Sequence, residues 1–209
     1  MAKTDTAAVA LYKQKAGPAS ITVVEVKDMA AAISYALDVC EKKEFCELLL
    51  SGCGENLSES GESHCKRAEV KTIAAPALDD KDFASLEKQG KGKGFTVLRK
   101  GMREHLAGID VGFSTCNGAI AETATCVLEC PSEDLRLATM ICEIHVVALK
   151  KSQIVKSSQD LAGYLEEAMG KGPLYTAFIS GPSRTADIER VLTLGVHGPL
   201  ELHVALMEA

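Results

Sequence analysis

The sequence is short of positive charge. Lysine and arginine number 23 against 29 aspartates and glutamates, which leaves a net charge of -6 over 209 residues. Holding a phosphate backbone takes a concentrated basic surface, so nucleic acid is excluded as the main partner. An anionic membrane surface attracts basic patches for the same reason. No apolar stretch approaches the roughly 20 residues of a membrane-spanning helix. The opening, "MAKTDTAAVALYKQ", has neither the apolar core nor the cleavage-like end of a secretory leader. The expected compartment is the cytoplasm, with no direct membrane insertion.

Metal-ligand spacing is also missing. The eight cysteines are Cys40, Cys46, Cys53, Cys65, Cys116, Cys126, Cys130 and Cys142. None shows the two-residue gap of zinc ribbons or ferredoxin-type clusters. Cys126 and Cys130 have three residues between them, which in a strand puts both on one face. They read as small buried hydrophobes of a reduced cell. Cys53 and Cys65 flank the polar stretch "GENLSESGESH" and are expected to be exposed. No set of histidines, cysteines and carboxylates suits a metal ion, and no resident cofactor is expected. The chain has no internal repeat, no G-x-x-x-x-G-K-[ST] phosphate loop and no G-x-G-x-x-G turn.

What is present is the balance of a globular protein: 46% hydrophobic and 25% charged residues. The length suits one domain with a substantial core. "SITVVEV", residues 20–26, is a β-branched run that predicts a strand. Asp28 then caps a helix over residues 29–43, with Met29, Ile33, Ala36, Leu37 and Cys40 at helical spacing. "ELLLSG" reads as a short buried strand and residues 52–67 as a mobile loop. "VKTIAAPAL" and "FTVLR" are strands on either side of a helix over residues 81–89, which "KGKG" breaks. Residues 101–107 form a short helix, and "AGIDVGFSTC" a strand.

"LRLATMI" and "EIHVVALK" both read as strands. Ser158 caps the helix "QDLAGYLEEAM", with Gly170 past its end. "LYTAFIS" is a strand, "TADIERVL" a helix and "LELHVALM" the last strand. The alternation predicts an α/β layered domain with a mixed, mainly parallel sheet. The antiparallel part is expected within residues 109–149, where helices have little room.

Residues 177–206, "AFISGPSRTADIERVLTLGVHGPLELHVAL", carry the candidate site. In open α/β sheets ligands collect at the carboxyl ends of strands, where loops enter helices. Here a strand ends at Ser180, Gly181 and Pro182 turn the chain, and a helix starts near Thr185. Ser183 and Thr185 offer hydroxyls, Arg184 a charge, and the helix start its N–H groups, which together suit a small anionic ligand. The local alternative is that Ser183 or Thr185 simply caps the helix, with Asp187 in its first turn.

"ISGPSRTADIE" followed by "GVHGPLELHVAL" resembles the C-terminal signature of the lactate utilization protein C family, the LUD-domain proteins. "DVGFSTCNGAIAETATCVLE" followed by "EIHVVAL" agrees with it. The two stretches cover about half of the chain. Ala124 stands where the family has a glycine in its "ETGT" turn, and Cys126 where it has an aliphatic residue. The resemblance implies a fold similar to that of sugar-phosphate isomerases and CoA transferases. It implies a part in the oxidation of L-lactate to pyruvate, as one subunit of a multi-protein system whose partner subunits carry the iron–sulfur clusters.

Folds of that kind use a glutamate nucleophile towards CoA thioesters. Glu122, set among apolar residues, is expected to be partly buried and is a candidate for that role, or else a structural carboxylate in a turn. Thr115, Thr123 and Thr125 are candidates to bond a ligand or to close the turn. His145 either faces the same pocket as Glu122 or packs in the sheet. His197, between Val196 and Gly198 in a loop expected to close on Gly181, is the stronger catalytic candidate, since sites tend to sit on loops held by a scaffold. His203, on the last strand, is expected to be structural. Three functions remain open: a cluster-free subunit of a lactate-oxidising complex, a transferase or hydrolase of CoA or phosphate esters using Glu122, and a sensor using Cys53 and Cys65.

Overall fold

A computed structural model describes residues 4–44, 70–106, 108–172, 174–185, 193–194 and 197–208. Its frame is a six-stranded sheet of β1 (Ile21–Val26), β2 (Thr72–Ala74), β3 (Thr96–Leu98), β4 (Ile109–Thr115), β7 (Cys142–Lys150) and β12 (Glu201–Met207), in the order β1-β12-β7-β4-β2-β3. Every pairing in it is parallel. The central strands are largely apolar because both faces are covered. Residues 146–149 of β7 and 202–207 of β12 are all buried.

On one face lie α2 (Met29–Lys42) and α3 (Asp80–Gly92). Asp28 caps α2 by accepting the Ala31 N–H, as expected, and Ile33, Ala36, Leu37 and Cys40 enter the core against Val111, Phe113 and Val146. The second helix is longer than its sequence predicts and runs through Gly90. A Cβ at Gly90 would come within 2.7 Å of the Val97 side chain, so the glycine belongs to the packing and not to a break.

The other face carries a helix that the sequence reading did not pick out, α1 (Thr6–Ala16), capped by Asp5. Ala8, Val9, Tyr12 and Ala16 form its buried stripe. Beside it packs a second sheet of β5 (Gly118–Ile120), β6 (Thr125–Glu129), β8 (Ile154–Val155) and β9 (Thr176–Ile179), in the order β8-β5-β6-β9. Two of its pairings are antiparallel, β5 with β6 and β6 with β9. The antiparallel part therefore starts within the expected 109–149 region, but β4 and β7 belong to the parallel sheet.

Residues 135–141 are a helix and not a strand. α4 (Glu133–Ile141) starts at Ser132, whose hydroxyl accepts the Leu135 N–H at 3.2 Å, with Glu133 and Asp134 in the first turn. Leu135 and Ala138 are its buried anchors. It approaches β4 closely at Gly112, where a Cβ would meet the Ala138 carbonyl at 2.5 Å. Residues 102–105 form one 3-10 turn, Met102–His105. Ser158 does not cap its helix: a 3-10 turn, Gln159–Leu161, leads into α5 (Ala162–Gly170), and the Ser158 side chain makes no capping bond.

A short pairing of β10 (Arg184–Thr185) with β11 (Thr193–Leu194) completes the described elements. The expected "ELLLSG" strand and the 52–67 loop lie outside the described residues, as do Cys46, Cys53, Cys65 and most of the "TADIERVL" helix. The five described cysteines are free and buried. Burial pushes the thiols of Cys40 and Cys142 up to about 12, which suits inert core residues.

Candidate functional site

A cavity of about 200 Å³ opens on the face of the parallel sheet that carries the small sheet. Its floor is His145 of β7 and Leu202 of β12, which are register partners. One wall is α4, through Arg136, Thr139 and Met140. The opposite wall is β9 and the turn after it, through Tyr175, Ile179, Gly181 and Ser183. The loop of His197, Gly198 and Pro199 closes the rim.

The segment after β9 owes its place to two glycines. Gly181 has φ +94°, and a Cβ there would lie 2.3 Å from the Ala19 carbonyl oxygen. A Cβ on Gly198 would come within 3.1 Å of the Ser183 Cβ. The Ser183 N–H donates to the Pro199 carbonyl at 2.8 Å, which ties the two loops together.

His145 is 1% exposed. Its Nε2 lies 2.8 Å from the hydroxyl of Ser114 on β4, and its Nδ1 has no hydrogen-bond partner. Burial pulls the ring down to about 4, so it is neutral at physiological pH. Arg136 supplies the positive charge. Its Nη1 donates to the Cys130 carbonyl at 3.1 Å, and its guanidinium lies 5.3 Å from the centre of the Tyr175 ring. Thr139, buried, donates to the Arg136 carbonyl at 2.8 Å.

Of the residues singled out in the sequence, the fold brings Gly181, Ser183, His145 and His197 around this one cavity. The others stand elsewhere. Glu122 is exposed and not partly buried; its Oε1 accepts the Ser158 N–H at 3.1 Å. His145 therefore does not share a pocket with Glu122. Thr115 ends β4 away from the cavity. Thr123, Thr125 and Ser180 form a chain of hydroxyls, with oxygens 2.7 and 2.6 Å apart, that closes the turn behind the wall. Arg184 is exposed and donates to the Ser20 hydroxyl at 2.6 Å. Thr185 pairs with Thr193 across β10 and β11.

His203 lies on the opposite face of the sheet, bonded through Nδ1 to the Tyr35 hydroxyl and through Nε2 to Glu201. Ala124 holds φ +50°, so a methyl sits in the conformation that favours the glycine of the resembling turn.

The location also differs from the expected one. β9 belongs to the small sheet, so its end is not the carboxyl edge of the parallel sheet. At that edge Lys151 forms ion pairs with Glu25 and Glu208. The sequence reading passed over Arg136, Thr139 and Tyr175. The signal for Arg136 and Thr139 is the cap at Ser132: a helix starting there turns both to one side.

The cavity can take a small molecule with one negative charge and a short apolar body. Among the described residues, no group of three or more histidines, cysteines or carboxylates is placed to hold a metal ion. No described helix is long and apolar enough to cross a membrane.

Comparison with known proteins places this architecture. A solved structure of a DUF162 family protein from Deinococcus radiodurans covers 96% of this chain and 96% of its own, with a TM-score of 0.55 and 16% identity, a likeness of fold. Lactate utilization protein C of Geobacillus thermodenitrificans is 35% identical over 95 residues, 44% of this chain and 40% of the relative. The protein of the same name from Deinococcus radiodurans is 32% identical over 99 residues, 47% of this chain and 46% of the relative. The matches thus span less than half the length of these relatives. Residues 9–207, nearly the whole chain, match the LUD domain, and the chain belongs to the LUD domain family.

Proposed function

We propose that this chain serves lactate utilization, as a cluster-free subunit of a multi-protein system that oxidises L-lactate to pyruvate in the cytoplasm. The observation that carries the reading is the LUD match over residues 9–207, together with relatives named lactate utilization protein C. The cavity supports it: its size and the Arg136 guanidinium on its wall suit a small acid. Oxidising lactate removes two electrons and two protons. Imidazole, guanidinium and hydroxyl groups bind and orient an acid but do not take up electrons. In this reading the electrons pass to iron–sulfur clusters on partner subunits, and this chain holds the acid or docks those partners.

The reading of a stand-alone ester transferase needs a nucleophile in a pocket, and Glu122 is exposed and outside the cavity. The test is a pull-down of the tagged chain from its native host, with lactate-dependent dye reduction assayed on the eluate and on the isolated chain. Activity only in an eluate that contains iron–sulfur proteins is the expected result. No partner and no lactate-dependent reduction would overturn the proposal.

A further inference from the structure

We infer that the cavity beside α4 binds the anion of a short carboxylic acid bearing a second oxygen, with Arg136 on the carboxylate and His145 on that oxygen. This rests on the reading above for the acid's place in metabolism and on the cavity alone for its chemistry.

Size comes first. An apolar cavity of about 150 Å³ accepts a benzene molecule. A cavity of about 200 Å³ therefore has room for a short acid within its walls.

Charge comes second. Among the described residues that line the cavity, Arg136 is the lysine or arginine, and none is a carboxylate. Its bond to the Cys130 carbonyl and its place over the Tyr175 ring hold the guanidinium, leaving further N–H groups to meet a carboxylate. A dianion fits less well. Thr139 and Met140 belong to the last turn of α4, the negative end of that helix, which disfavours a second negative charge. Ala177, Ile179 and Leu202 add an aliphatic surface for a short carbon chain.

The third point is the unpaired Nδ1 of His145. A buried ring nitrogen without a partner is unusual and costs stability, so its partner is sought in the ligand. Ser114 lets the ring work in both senses. If the Ser114 hydroxyl donates to Nε2, Nδ1 carries the proton and donates. If Nε2 donates to Ser114, Nδ1 accepts. The first form meets a keto oxygen and the second a hydroxyl. One site thereby takes a hydroxy acid and the oxo acid made from it.

The experiment is ligand-observed NMR on the full isolated chain, with L-lactate, pyruvate, propionate and inorganic phosphate as probes. Lactate and pyruvate are expected to bind, and propionate, which lacks the second oxygen, about tenfold more weakly. Arg136→Met is expected to weaken both acids by tenfold or more. Ala177→Leu fills the cavity without touching the charge and is expected to abolish binding. Unchanged melting temperatures in both variants show that the loss is local. Lactate binding unaffected by both variants, tighter binding of phosphate than of lactate, or no binding of lactate and pyruvate would each overturn the inference. Binding by the isolated chain with no partner in the pull-down leaves this site standing and removes only the subunit reading.

Discussion

Ser114 Oγ and His145 Nε2 lie 2.8 Å apart across the neighbouring strands β4 and β7, with both residues 1% exposed. The pair sits under the cavity, and the other ring nitrogen has no partner. The ring is held neutral by burial, with its pKa pulled from 6.5 to about 4. This gives the fold a calculable acid sensitivity. Between about pH 6.5 and pH 4 the unfolded chain binds a proton that the folded chain refuses. The stability from a neutral His145 is therefore complete above the unfolded value and is lost as pH falls towards 4. It amounts to on the order of 3 kcal/mol. Urea midpoints at about pH 7.5 and about pH 5 should show a steeper loss for the wild type than for His145→Gln. Equal losses in the two proteins would refute the assignment.

At the start of β4 and β7 lies a largely buried charge cluster. Lys43 Nζ stands 2.9 Å from Asp110 and 3.0 Å from Glu143, with side-chain exposures of 5%, 6% and 18%. Asp110 also accepts the Thr72 N–H at 2.8 Å, so the cluster joins α2, β2, β4 and β7. Burial alone lowers the ammonium's pKa, but the two carboxylates hold it above its ordinary value. Lys43→Met strands two carboxylates in a largely dry place. The expected cost is about 3–5 kcal/mol in a urea melt. Adding Asp110→Asn should recover part of that loss; an additive double variant would mean that the charges do not interact.

Gly181 sets the position of the cavity wall. Its φ of +94° and the 2.3 Å approach of the Ala19 carbonyl to a hypothetical Cβ leave no room for a side chain. Gly181→Ala should destabilise the protein by about 2 kcal/mol or more and displace Ser183 from the rim. The check is a melting curve beside the lactate titration. A variant with wild-type stability and binding would show that the turn adapts freely.

Much of the frame was legible because its signals are local. Asp28 and the apolar stripe of α2 coincide in the sequence, and the largely apolar β7 and β12 announce strands covered on both faces. Which strand joins which sheet is not a local property. "LYTAFIS" reads like any parallel strand, yet β9 pairs antiparallel with β6, some fifty residues earlier. α4 was misread because Leu135, Leu137 and Thr139 alternate as in a strand, while the helical stripe of Leu135 and Ala138 depends on one small residue. That misreading hid Arg136, the charge at the cavity. The rim was readable, since Gly181, Ser183 and His197 stand beside glycines and prolines that fix loops. Glu122 looked buried because its neighbours are apolar, but its turn faces outward between the buried Ala121 and Ala124.

The same geometry makes Glu122 a sharp control. Its described bond is to the Ser158 N–H, at the surface where β5 meets the turn before α5. Replacing its carboxylate by an amide keeps an acceptor oxygen, so Glu122→Gln should change stability by less than about 1 kcal/mol. It should also leave lactate binding by the isolated chain and dye reduction by the assembled eluate within about twofold of the wild type. An enzyme using Glu122 as a nucleophile predicts a fall of several orders of magnitude in turnover of its ester. Screening the isolated chain and this variant against short acyl-CoA and sugar-phosphate esters separates the two cases. Turnover by the wild type that vanishes in Glu122→Gln would move the chemistry from the cavity beside α4 to the turn at residues 121–124.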